Sequence, residues 1–93
     1  MSTYETPIEK LKKIPGIIDE IIGSTPKTRF DRVHFKSFGD FSLNFEVSYY
    51  VKSSDYKDFM DIGQEVNLKI VARFGEEGIA FAYPTQTIHL EKE

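Results

Sequence analysis

The sequence predicts an α+β fold of the ferredoxin-like kind, a two-layer sandwich with two helices on one face of a small sheet. Three observations predict it. Apolar residues recur at helical spacing in two separate stretches, a strictly alternating strand lies between them, and a shorter alternating segment follows the second stretch. The order is helix, strand, strand, helix, strand (α-β-β-α-β). That is the βαββαβ plan with its first strand missing, and a further extended strand is expected at the C-terminus.

The first helix opens at Thr6-Pro7-Ile8-Glu9. Thr6 can cap it, Pro7 suits a position where a missing N–H costs nothing, and Glu9 completes a capping box. Ile8, Leu11, Ile14, Ile18 and Ile21 then line one face. Pro15-Gly16 is expected to kink or split the helix, because proline removes a backbone hydrogen bond. Gly23-Ser24-Thr25-Pro26 is expected to end it.

Arg32 to Phe38 reads as a strand with Val33 and Phe35 on one face. Gly39 and Asp40 should shape a hairpin turn into the next strand. There Phe41, Leu43, Phe45, Val47, Tyr49 and Val51 alternate with Ser42, Asn44, Glu46, Ser48, Tyr50 and Lys52. Such alternation describes a sheet with one buried and one open face.

Ser53-Ser54-Asp55 precedes a second helix that should run to about Phe74. Phe59, Ile62, Val66, Ile70 and Phe74 form its core face, which Met60, Leu68 and Val71 are expected to widen. Asp55, Asp58 and Asp61 fall in its opening turns, where negative charge suits the positive end of the helix dipole. Gly75 and Gly78 are candidate left-handed caps, with Gly78 shaping the helix exit. Ile79, Phe81 and Tyr83 then alternate as a third strand that Pro84 ends.

Beyond Pro84, Ile88 and Leu90 alternate with Thr87 and His89. An extended tail of this kind exposes backbone donors and acceptors unless another chain pairs with it. Pro84 is expected to turn the chain out of the core strand, and Thr85, Gln86, Thr87, Ile88, His89 and Leu90 to pair between subunits. Three segments follow from this reading. Residues 1–5 are an artificial leader or the end of the missing strand, 6–83 the α+β domain, and 84–93 the assembly strand and tail.

With 93 residues the chain is one domain, and its 40% hydrophobic content is too high for disorder. A formal charge of −3 argues against nucleic acid, whose phosphates call for clustered Lys and Arg. No cysteine is present, so a disulfide frame or Cys-based zinc site is excluded. No apolar run approaches the ~20 residues of a membrane span, and no signal-peptide pattern opens the chain.

His34 and His89 lack metal-ligand spacing, and the serines lack a His–Asp pattern, so no metal, cofactor or catalytic residue is expected. Phe35, Phe38 and Phe41 near Lys36 could suggest an RNA-stacking platform, but Asp40 is acidic where such a motif is basic. An acylphosphatase-type enzyme would need an arginine in a loop after the first strand, the region missing here. A ferredoxin-like small-molecule-sensing domain that dimerises is the alternative reading.

Several segments occur in an order and spacing that resemble a known family. They are Tyr4-Glu5-Thr6-Pro7 entering Ile8-Glu9-Lys10-Leu11, Asp31-Arg32-Val33-His34-Phe35, Phe38-Gly39-Asp40-Phe41-Ser42-Leu43, and Gly78-Ile79 through Pro84-Thr85-Gln86-Thr87. Together they resemble the C-terminal cytoplasmic domain of the small-conductance mechanosensitive ion channels, over about Tyr4 to Leu90.

The resemblance implies a homoheptameric membrane channel that releases ions and osmolytes under membrane tension. This domain would form the lower wall of its cytoplasmic vestibule. The segment after Pro84 would pair with its symmetry mates in a small parallel barrel. The chain is then expected to be a soluble fragment on the cytoplasmic side of the membrane, touching the bilayer only through a transmembrane region it does not contain. As a free fragment it should be a monomer or small oligomer, because the tail barrel alone buries too little to hold a heptamer.

Overall fold

The computed structural model describes residues 8–38, 43–80 and 82–91. Five elements follow in order: α1 (Ile8–Gly23), β1 (Thr28–Phe38), β2 (Leu43–Lys52), α2 (Tyr56–Glu77) and β3 (Ala82–Glu91). The sheet order is β1-β2-β3, with β1 antiparallel and β3 parallel to β2. This is the α+β, helix-strand-strand-helix-strand arrangement the periodicities predict. The expected cap at Thr6-Pro7 and the hairpin turn at Gly39 and Asp40 lie outside the described residues, as do Phe41 and Phe81.

Helix α1 buries Ile14, Ile17, Ile18, Ile21 and Ile22. Of the expected kink or split at Pro15-Gly16, the split does not occur: Pro15 lies inside a continuous helix. Proline forfeits one backbone bond, but buried isoleucines on either side of it hold both halves to one core. After the helix, Ser24 Oγ and Thr25 Oγ1 each donate 2.9 Å bonds to the Ile21 carbonyl, satisfying an acceptor the helix end leaves open.

Strand β1 begins at Thr28, earlier than the alternation suggests, and slips register between Phe30/Arg32 and again between Phe35/Ser37. Each slip breaks the period of two, which hides the strand's first half from a pattern search. Strand β2 carries the core. Leu43, Phe45, Val47, Tyr49 and Val51 all point inward and are buried.

At the start of α2, Asp55 accepts a 2.9 Å bond from the Lys57 N–H. The helix continues past Phe74 to Glu77 and ends at Gly78, whose φ of 69° and ψ of 29° are left-handed. The Gly78 N–H reaches the carbonyls of Phe74 and Gly75. A side chain would strain that backbone.

Gly63, Val66, Ile70 and Phe74 are buried under α2, with Phe59 and Ile62 packed alongside. Met60, Leu68 and Val71 do not widen this face: they are 52%, 61% and 71% exposed. At 100° per residue they fall on a flank of the helix turned away from its buried line.

The largest departure concerns the tail. No break occurs at Pro84, and Ala82–Glu91 is one strand paired with β2 from Leu43↔Ala82 to Lys52↔Glu91. Pro84 pairs with Phe45 inside that ladder, so it does not turn the chain away. The physical reason lies in β2, whose backbone groups sit among buried side chains and would cost ~1–3 kcal/mol each if unpaired. Among the described residues no strand fills the first place of that plan, and β3 takes the place beside β2, parallel to it.

Candidate functional site

Every residue expected to act in assembly, Pro84, Thr85, Gln86, Thr87, Ile88, His89 and Leu90, lies in β3, one edge of the described sheet. Its two faces differ. On the helix side, Ile88 packs against the core, and a Cβ added at Gly63 would stand 3.5 Å from its Cδ1. Tyr49 Oη donates to Gln86 Oε1 at 3.4 Å, and Gln86 Nε2 donates to Asn67 Oδ1 of α2. Burial pushes the Tyr49 phenol up to about 12.

On the open face, Ser48 Oγ donates to Asp31 Oδ2 at 2.9 Å and lies 3.1 Å from His89 Nε2. A hydroxyl has one hydrogen, so the His89 ring is the donor in the second bond. Serine, histidine and aspartate therefore meet here, in an order unsuited to catalysis. The carboxylate bonds the serine instead of orienting the imidazole, and Ser48 is only 1% exposed. The trio ties β1, β2 and β3 together, and no spacing in the sequence announces it.

One row along, the His89 ring stacks on Tyr50 with 4.6 Å between centroids, and the Arg29 guanidinium lies 4.1 Å from the Tyr50 centroid. Arg29 also bonds Glu91 at 3.2 Å. Among the described residues, no group of three or more His, Asp or Glu could hold a metal ion.

The two edges of the sheet are unlike. Strand β1 carries Arg29, Asp31, Arg32 and Lys36 along with its register shifts. Arg32 and Lys36 flank Glu46 at 2.6 and 3.6 Å, and the Arg32 hydrogen bond holds the Glu46 carboxyl below the usual carboxylate range. Charges and bulges of this kind protect an edge from stray pairing. β3 has no Asp, Glu, Lys or Arg from Ala82 to Leu90. Among the described residues no strand lies beyond it.

The family model for the MscS mechanosensitive ion channel C-terminal region matches residues 1–81. The chain belongs to the MscS family. It is 45% identical over 92 residues to the small-conductance mechanosensitive channel MscMJ of Methanocaldococcus jannaschii, covering 98% of this chain and 26% of that protein. The large-conductance channel MscMJLR of the same organism is 43% identical, over 98% of this chain and 27% of its own length. An uncharacterized MscS family protein of Aquifex aeolicus is 34% identical over 96% of this chain and 25% of its length.

This MscS-family chain thus spans about a quarter of the relatives it matches. No solved structure matches it. The family is one of channels, not of enzymes. Among the described residues no helix is long and apolar enough to cross a membrane.

Proposed function

We propose that this chain is the C-terminal cytoplasmic part of a longer mechanosensitive channel, where copies of it form the lower wall of a vestibule. The whole channel releases ions and osmolytes under membrane tension and assembles as a homoheptamer. The chain's work is packing and pairing, with no bond-making chemistry. The observation that carries this reading is the 45% identity to a small-conductance mechanosensitive channel across 98% of the chain.

Strand β3 supplies the self-association surface. A barrel of like strands needs both edges of Thr85–Leu90, and β2 holds one of them here. Such a barrel therefore requires β3 to leave β2, with another strand taking its place. The test is patch recording and osmotic-downshock survival with the longer protein. Tension-gated currents that disappear when residues 8–91 are deleted are the expected result. Full gating and assembly without this segment would overturn the reading.

A further inference from the structure

We infer that neighbouring copies of this chain meet head to tail, the outer flank of α2 in one copy seating in an apolar groove between α1 and β1 of the next. The inference rests on the ring assembly proposed above and adds a lateral contact to that of β3. It holds for any ring of more than two copies.

The groove has a volume of ≈ 500 Å³. Ile8, Leu11 and Pro15 of α1 line it together with Phe35 and Phe38 of β1, over buried Leu43 and Phe45. Its aromatic wall is set ring against ring. Phe35 stacks on Phe45 with 4.9 Å between centroids, and Phe38 stands edge-on to Phe35 at 5.1 Å. The matching ridge is the run of Met60, Leu68 and Val71 on α2. Eight large apolar side chains are exposed among the described residues, and six of them belong to these two surfaces: Ile8, Phe35 and Phe38 to the groove, Met60, Leu68 and Val71 to the ridge. Exposed apolar side chains gathered in this way mark contact surfaces.

The two surfaces lie on opposite sides of the helix layer. Each helix turns one flank to the other helix, where Arg73 bonds Glu20 at 2.8 Å and Lys69 bonds Thr25 at 3.0 Å. At 100° per residue, Ile8, Leu11 and Pro15 fall on the flank of α1 away from α2. Met60, Leu68 and Val71 fall on the flank of α2 away from α1. The groove is therefore on the β1 side of the molecule and the ridge on the β3 side. A single self-complementary surface pairs two copies about a two-fold axis and stops there. Two different surfaces facing opposite ways join each copy to the next in one direction, which is the contact a closed ring repeats.

Charge agrees with this match. Lys12 is the one charged residue among those lining the groove. The ridge is bordered by Lys57 and Asp61, which pair with each other at 3.0 Å on an exposed face. An exposed pair of this kind contributes little, so Asp61 can turn to Lys12 of the next copy. The contact then has an apolar centre of Phe, Ile and Met inside a charged rim. It is made by side chains on the helix side of the sheet. Arg32 and Lys36, which guard the β1 edge, are engaged with Glu46 on the open face and do not oppose it.

The chain has no cysteine, so thiols can be placed at will in a longer protein freed of any others. Phe38→Cys and Val71→Cys replace side chains that are 70% and 71% exposed, which spares the core. A flexible bifunctional maleimide avoids the strict geometry of a disulfide. In membranes it should link the Phe38→Cys/Val71→Cys double variant into a ladder that runs past the dimer. Either single variant should give no linked product, and neither should Phe38→Cys combined with Ser54→Cys, which lies off the ridge. Products that stop at the dimer would mean a two-fold contact and overturn the inference. So would linkage in a single variant, equal linkage through position 54, or no linkage at all. If the longer protein carries tension-gated current while the double variant gives no ladder, this contact falls and the channel reading stands. A ladder in a protein without such current reverses that outcome.

Discussion

The imidazole of His89 stacks on the ring of Tyr50, its register partner across β2 and β3, with 4.6 Å between the centroids. The same imidazole reaches Ser48, whose hydroxyl continues to Asp31 on β1. One C-terminal residue thereby fastens three strands on the open face, while Ile88 and Gln86 fasten the same strand on the helix side. The tail is part of the domain's own structure.

Removal of residues 84–93 should therefore damage the fold itself. It strips a ladder partner from β2 along most of its length and uncovers Tyr49 and Val51. Chemical denaturation should show a loss of several kcal/mol, with binding of a hydrophobic dye at neutral pH. A truncated chain with native midpoint and native cooperativity would show that β3 contributes nothing to β2. The single change His89→Ala should cost less, about 1 kcal/mol, because the backbone ladder survives it.

Two glycines should respond to alanine with opposite signs. Gly63 lies within α2, and its new Cβ would meet Ile88 Cδ1 at 3.5 Å, an ordinary contact. Gly63→Ala should stabilise the chain by roughly 0.5–1 kcal/mol through helix propensity. Gly78 holds φ at 69°, so Gly78→Ala should destabilise by about 1 kcal/mol. Thermal unfolding of both variants reads the comparison, and shifts of the same sign would refute it.

Much of this architecture is legible in the chain, for reasons that differ by element. β2 is legible because its alternation from Leu43 to Val51 has a single cause, a buried face against an open one. The helices are legible from their spacing, but spacing ranks residues by periodicity and cannot say which flank meets a neighbour. Periodicity therefore places Met60, Leu68 and Val71 on the core face, and they stand outside it. Pro15 reads as a breaker because a local rule sees one lost bond and not the isoleucines packed on both sides.

The tail shows the deeper limit. Whether Thr85–Leu90 pairs inside or outside the chain depends on what β2 lacks, and β2 lies some forty residues away. The meeting of Asp31, Ser48 and His89 is equally non-local. The sequence did carry one relevant signal, the absence of charge between Ala82 and Leu90, which marks an edge built for pairing.

Acid should weaken the chain partly through Asp58. Hydrogen bonds from Lys27 and Ser53 hold its carboxyl below the ordinary aspartate value. A lowered folded-state value means the contribution is present above about pH 4 and lost as pH falls through that lower value. Asp58→Asn should flatten the acid limb of a stability–pH curve and leave the alkaline limb alone. An acid limb as steep as the native one would exclude Asp58 as a contributor.

Base should act through Tyr49. Its side chain is fully buried between β3 and the helices, and burial pushes its phenol up to about 12, against about 10 when unfolded. A raised value favours the neutral form in the folded state, so this stability is whole below about pH 10. It drains as pH climbs from there to about 12, because the unfolded chain releases the proton first. Tyr49→Phe removes the titration and gives up one long hydrogen bond to Gln86, whose amide still holds Asn67. At neutral pH the variant should lie within about 1 kcal/mol of the native chain. Above about pH 10 it should overtake the native chain, its midpoint falling less with each added unit. Lysine titration affects both proteins alike, so the difference between the two curves isolates the phenol. Parallel curves across the alkaline range would mean that Tyr49 ionises as freely folded as unfolded, and that the core beneath β3 is open to water.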